Sequence, residues 1–289
     1  MSLAPVGAAA LQPTATEPAA QGVVARLIRR PSFIVGIAIL ALWVISPLAV
    51  LALGIDPGAA TGIPNSSPSP SHLLGTDNLG RDELTRVFAG AGPILAVAPA
   101  ATALAAAAGA ALGLVAGFYR GVVDDFLMRS FDIIAAVPAI VAVMLVATAF
   151  GRSAGTTIIV IAIFFTPVIA RTVRSAVLVE MGNQYVEAAR TQGERTTRIL
   201  ASELLPNVTG PLLVEATIRL GFAIFLAAGL SFLNVGAKPP SPDWGLAVAE
   251  NRIFIQTAWW TVASPALAIV TLVVAVNLVA NDLKDEVGS

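Results

Sequence analysis

Residues 91–119 read AGPILAVAPAATALAAAAGAALGLVAGFY, an unbroken run without one charged side chain. A helix rises about 1.5 Å per residue and the hydrocarbon core of a bilayer is about 30 Å thick, so roughly 20 apolar residues span it. Comparable runs lie at Phe33 to Leu53, Ile133 to Gly151, Ser153 to Ala170 and Trp259 to Ala280. One more, Pro211 to Gly236, carries Glu215 and Arg219 near its start and is charge-free from Leu220 onward. Hydrocarbon demands that every backbone N–H and C=O be satisfied within the segment, so each run is read as a helix. The chain is therefore read as an all-α integral membrane protein with six transmembrane helices.

Composition agrees with that reading and removes several chemistries. Of 289 residues, 56% are hydrophobic and only 12% charged, against about one quarter charged in a soluble domain. A net charge of −1 supplies no bulk attraction to nucleic acid. There is no cysteine, and His72 is the sole histidine, which excludes disulfides, thiolate sites and clustered-histidine metal sites.

Lysine and arginine placement sets the expected orientation. With a cytoplasmic N-terminus, the inner segments hold Arg26, Arg29, Arg30, Arg120, Arg129, Arg171, Arg174, Arg190, Arg195, Arg198 and Lys284, while the outer ones hold Arg81, Arg86, Arg152, Lys238 and Arg252. Both termini are then expected in the cytoplasm. Residues 1–25 read as a disordered cytoplasmic tail, 26–90 as the first span with an external loop, and 91–289 as the main transmembrane domain with a cytoplasmic loop at 172–206. A cleaved signal peptide is the rival reading of the start, but the apolar run is a full span long and five more follow.

Three polar stretches interrupt the apolar pattern. In HLLGTDNLGRDEL, residues 72–84, Thr76, Asp77 and Asn78 between two glycines suggest a tight turn, and Arg81, Asp82 and Glu83 open a helix with acids at its positive end. A cation site from His72, Asp77 and Asp82 is the sharper alternative, on a thin ligand set. Prolines 239, 240 and 242 keep GAKPPSPDWG, residues 236–245, from forming a regular helix.

The third stretch is YVEAARTQGERTTRILASELLP, residues 185–206. Tyr185 to Gln192 suits a short helix, Gly193 a left-handed stop, and Thr196 or Thr197 the cap of a second short helix running toward Pro206. Ala188 and Ala189 then form a small-residue knob with Glu187, Arg190, Arg195 and Arg198 as its charged rim. Two readings stand on these residues: a docking elbow for another protein, or a solvated amphipathic loop.

The same stretch resembles the EAA signature of bacterial ABC-importer permeases through Glu187, Ala188, Ala189, Gly193, Leu205 and Pro206, with Glu203 departing from the usual isoleucine. LLGTDNLGRDELTRVFAGA, residues 73–91, and LSFLNVGAKPPSPDWGLAVAE, residues 230–250, are similar to the second permease of dipeptide, oligopeptide and nickel importers. The resemblance implies a type I ABC-importer permease fold in a bacterial inner membrane. It implies a coupling role for Glu187, Ala188, Ala189, Arg190, Gly193, Leu205 and Pro206. It also implies a homologous second permease, two cytoplasmic ATPase subunits or domains, and an external substrate-binding protein. Asp77, Arg81, Asp82, Asp243 and Trp244 become candidates for the external gate or for contact with the binding protein. The alternative for the last stretch is a rigid connector, with Trp244, Trp259 and Trp260 anchored at the membrane interface.

The only lysines, Lys238 and Lys284, sit in no GxxxxGK[ST] loop, so ATP and magnesium are expected on the partner ATPases and no cofactor or metal on this chain. Membrane lipid is the remaining partner. Gly109, Gly113 and Gly117 are read as a close-packing seam within the chain rather than between subunits. Glu215 and Arg219, four apart, can pair on one helix face as a structural or a functional couple. Pro138, Pro167 and Pro265 are candidate kinks. An ion-coupled secondary transporter lacks a midplane site here, a membrane enzyme lacks catalytic groups within a span, and a structural assembly subunit is the remaining alternative.

Overall fold

A computed structural model describes residues 26–287, so the expected tail at 1–25 lies outside the described residues. Those residues contain helices and no strand. Helix α1, Pro31–Ala52, begins with proline at a position whose N–H would have no partner anyway. Helix α2, Glu83–Tyr119, is capped by Asp82, whose carboxylate accepts the Thr85 N–H; its 37 residues reach about 55 Å, well beyond one bilayer core. Then follow α3, Gly121–Ala136; α4, Ala139–Phe150; and α5, Ala154–Glu180, capped by Ser153. The short α6, Gln184–Thr191, leads into α7, Thr196–Phe232, and the chain closes with α8, Trp244–Asn251, and α9, Trp260–Val287.

Five of these helices, α1, α2, α5, α7 and α9, are long and apolar enough to cross a membrane. The expected third span is not one straight helix. Ile133–Ala136 closes α3, and α4 departs from it at 84° after Pro138. Proline forces its predecessor out of the helical region, and Val137 is accordingly extended at φ −86°, ψ 127°. The bent pair supplies the sixth crossing, which the packing of α2 on α5 requires. Gly109 faces Ile169, Gly113 faces Ala170 and Val173, and Gly117 faces Val177, so α2 and α5 run parallel and the chain between them must return.

That seam is a close backbone contact sustained over three successive glycines. A Cβ added at Gly113 would lie 2.6 Å from the Ala170 carbonyl oxygen, and one at Gly109 2.8 Å from the Ile169 side chain. The GxxxG spacing is thus used inside the chain, as expected. Apolar packing forms two clusters along the bundle. One gathers Trp43, Ile94, Ile161, Ile224, Leu230, Trp244 and Leu272; the other gathers Ile169, Val173, Val177, Val186, Ile199, Leu204 and Val208 toward α6. Large side chains such as Ile45, Leu48, Leu51, Phe225 and Leu267 point outward, as a lipid-facing surface allows. At the α6 end, Arg30 before α1 meets Asp282 and Asp285 of α9 at 3.3 and 3.2 Å, and Ser32 donates to Asp282 at 2.7 Å.

Gly113→Ala should lower the thermal midpoint of the detergent-solubilised protein by the equivalent of about 1–3 kcal/mol, the usual range for overpacking. Gly229→Ala, where a Cβ meets nothing within 4 Å, should be near neutral. Equal losses at both positions would deny the seam its special place.

Candidate functional site

Two polar assemblies stand at opposite ends of the bundle. At the first, α6 carries the Glu-Ala-Ala trio. Asn183 opens the helix in an extended conformation, and Gly193 ends it at φ 74°, the left-handed stop expected from the sequence. The second short helix expected after the bend is not separate. It merges with α7, and Arg195, not Thr196 or Thr197, occupies the N-cap without a side-chain bond. Its first turns hold a π-helical segment at Ile199–Leu204. Pro206 follows one residue later; a proline ring lacks the N–H and crowds the carbonyl four residues back, and the wider π turn relieves both demands.

The small-residue knob is divided by this geometry. Ala188 is exposed, whereas Ala189 is buried with Val186 against the cluster of Val177, Leu204 and Val208. Glu187 and Arg190 are exposed and line a small groove of about 190 Å³ with Met181, Gly182, Asn183 and Val186. Arg190 also reaches back: its guanidinium lies 4.7 Å from the centre of the Phe118 ring at the end of α2. Leu205 packs on the same cluster and Pro206 is exposed. Glu203 contributes its backbone carbonyl, which accepts from Asn207 Nδ2 at 2.6 Å, so the departure from isoleucine leaves this turn intact.

Sequence reasoning missed Tyr185 and Asn207. The tyrosine Oη donates to Glu180 Oε2 at 2.6 Å and accepts from Asn207 Nδ2 at 3.2 Å. Burial, and then the adjoining Glu180 carboxylate, push the phenol up to about 12, so its proton stays in place at any physiological pH. A tyrosine two residues before the trio and an asparagine just after Pro206 were the available signal.

At the other end a network of buried charge ties the 54–82 loop to α2 and α8. Asp77 is fully buried; its carboxylate accepts the Leu79 and Arg81 N–H groups at 2.9 Å and the Arg81 Nε at 2.6 Å, with Arg86 Nε at 3.3 Å. Arg81 continues to Glu250 of α8 at 3.1 Å, and Arg86 donates to the Pro57 and Ser241 carbonyls. Glu83 accepts the Ser264 hydroxyl of α9 at 2.8 Å. The cation trio of His72, Asp77 and Asp82 is not assembled, because Asp77 faces the two arginines while His72 pairs with Asp82 at 3.0 Å. Burial would raise the Asp82 carboxyl, but the Thr85 donors and His72 outweigh it and hold the group below its ordinary value.

Trp244 and Asp243 are likewise internal. The indole is fully buried, donates to the Val87 carbonyl at 2.7 Å and meets Trp43 edge-on at 4.8 Å. Asp243 caps α8 by accepting the Leu246 N–H at 3.0 Å; its burial, opposed by those donors, raises its carboxyl above the ordinary range. Direct surface contact by Asp77, Arg81, Asp243 or Trp244 is therefore closed in this conformation, and so is interfacial anchoring by Trp244. Only the rim of this assembly, including Asp82 and the exposed Trp259, meets the outside. Glu215 and Arg219 pair at 2.6 Å on α7, and Arg219 covers Phe222.

A multi-span helical bundle with an exposed elbow at one end and a closed polar network at the other is the architecture of a polytopic membrane protein. A family model described as the binding-protein-dependent transport system inner membrane component matches residues 109–285, and the chain belongs to that family. It is the membrane permease subunit of an ABC importer, a multi-pass protein of the inner membrane. The dipeptide transport system permease protein of Alkalihalophilus pseudofirmus is 37% identical over 254 residues, covering 87% of this chain and 84% of the relative. The di/tripeptide transport system permease of Pseudomonas aeruginosa is 39% identical over 213 residues, 74% and 70% of the two chains. The glutathione transport system permease of Pectobacterium atrosepticum is 37% identical over 221 residues, 76% and 73%. Membership carries with it, in general terms, a partner ATPase, a second permease and a binding protein.

Asp77→Ala should destabilise the protein by about 3–5 kcal/mol, since it strands two buried guanidinium groups. Thermal unfolding in detergent reads the loss. A stable variant that had lost only its affinity for a binding protein would return Asp77 to a contact role.

Proposed function

We propose that this chain forms half of the translocation pathway of an ATP-driven importer for di- and oligopeptides, paired with a homologous permease. The N- and C-termini and α6 face the cytoplasm, in keeping with the lysine and arginine distribution, and the buried network lies at the external face. The observation that carries the coupling role is α6 itself. It exposes Glu187, Ala188 and Arg190, turns on Gly193, and buries Val186 and Ala189 in the core formed by α5 and α7. An element both exposed and rooted in two spans suits the receipt of force from two cytoplasmic ATPase subunits or domains, which bind the ATP and magnesium.

Relatives named for dipeptide and di/tripeptide transport support the substrate class, and the relative named for glutathione keeps a γ-linked tripeptide within it. Nickel or another small solute is the alternative cargo. Ion coupling finds little support, because the ion pair of Glu215 and Arg219 is internally satisfied.

Uptake of labelled peptide by vesicles holding the complete importer should require ATP and persist when ion gradients are collapsed. Gly193→Val should abolish it while the protein remains in the membrane. A Cβ there meets no atom within 4 Å, so the defect would come from the left-handed backbone that a β-branched residue resists. Normal uptake by a well-expressed Gly193→Val variant would sink the role of the bend.

A further inference from the structure

Three elements meet at one phenolic oxygen. Tyr185 stands on the first turn of α6, its partner Glu180 on the last residue of α5, and Asn207 in the early turns of α7. Glu180 Oε2 also accepts from Asn183 Nδ2 at 2.7 Å, and Asn207 Nδ2 also donates to the Glu203 carbonyl inside the π turn at 2.6 Å. The fastening therefore runs without a gap from α5 through α6 to α7.

The backbone alone does not provide this. α6 is joined to α5 by the turn at Met181–Asn183 and to α7 by Gly193, and the backbone bonds of these turns are local, with none running directly from α5 to α7 through α6. Apolar contacts of Val186 and Ala189 hold α6 down, but burial is non-directional and permits sliding. A hydrogen bond to a carboxylate is short and oriented, and so resists a change of angle.

We infer that Tyr185 is a positioning residue for energy coupling, its hydroxyl locking α6 to both α5 and α7 so that displacement of α6 moves the two spans together; this rests on the coupling role of α6 given above. The phenol is the only group in the set that touches both neighbours. Phenylalanine would keep the ring's packing and remove the joint.

This chain contains no cysteine, so Lys238→Cys, in the exposed connection before α8, provides a single labelling site within it at the far end of the bundle, read on this subunit's own band. The complete importer with its ATPases, in proteoliposomes, is labelled with a maleimide with and without ATP and vanadate. ATP should change the labelling rate in the Lys238→Cys background. Adding Tyr185→Phe should shrink that change by about tenfold, the scale of one charge-assisted hydrogen bond, with the ATPase still co-purifying. Asn207→Ala should act in the same direction, and joined to Tyr185→Phe it should add nothing, as members of one unit do.

An undiminished ATP response in Tyr185→Phe overturns the inference and leaves the coupling role of α6 standing. Loss of the ATPase on purification overturns it in favour of a docking role. No ATP response in the Lys238→Cys background overturns the coupling reading on which it rests. Should Tyr185→Phe fail to accumulate, Asn207→Ala, outside α6, carries the same outcomes.

Discussion

The approach of α2 to α5 at Gly109, Gly113 and Gly117 is the contact on which the rest of the molecule depends. In lipid there is no hydrophobic gain in pressing one apolar helix against another, so association relies on dispersion and close backbone contact. A seam without Cβ atoms on one side supplies both. Because the two helices run parallel, the chain must recross between them, and the α3–α4 pair exists to do so. The seam also fixes the end of α5, and therefore where α6 emerges, and sets Phe118 beneath Arg190.

The buried charges answer a different constraint. Ions removed from water are costly unless each meets an opposite charge and fills its remaining hydrogen bonds. Asp77 does this with two backbone N–H groups and two arginines, and Arg86 pairs with Asp77 while its outer nitrogens donate to carbonyls from two distant loops. Such a set tolerates one arrangement only, so the long loop before α2, the start of α2 and α8 are held in register. Trp244, between Val87 and Trp43, seals the apolar side of the same junction.

The spans were legible because hydrocarbon thickness converts directly into the length of an uncharged run. The kink at Pro138 was legible too, but not its 84° amplitude, which depends on how α4 returns beside α5. The elbow was readable from the spacing of Glu187, Gly193 and Pro206, since a trio, a left-handed stop and a helix-crowding proline each have local causes. The burial of Trp244 was not legible, for a physical reason. An indole suits an interface and a core equally, and the Val87 carbonyl that decides the matter lies 157 residues away. Ala189 was misassigned to an exposed knob because one residue's shift around a short helix decides which alanine faces the core.

The packing also indicates where the bundle can yield. Along the α2–α5 seam a relative slide would drive side chains into backbone at distances already minimal, so those helices would move as one body. Between α7 and α9 the contact is looser. Phe225, Gly229, Phe232, Val248, Val270 and Val273 border an open apolar groove of about 390 Å³. A push on α6 enters α5 and α7 together at the tyrosine, yet α5 is bound to α2 over its length while α7 has room against α9. The same input thus meets a stiff wall on one side and slack on the other. Joined at the tyrosine, α5 and α7 take up the push together, α2 is carried along on α5, and the groove beside α9 is where the bundle yields.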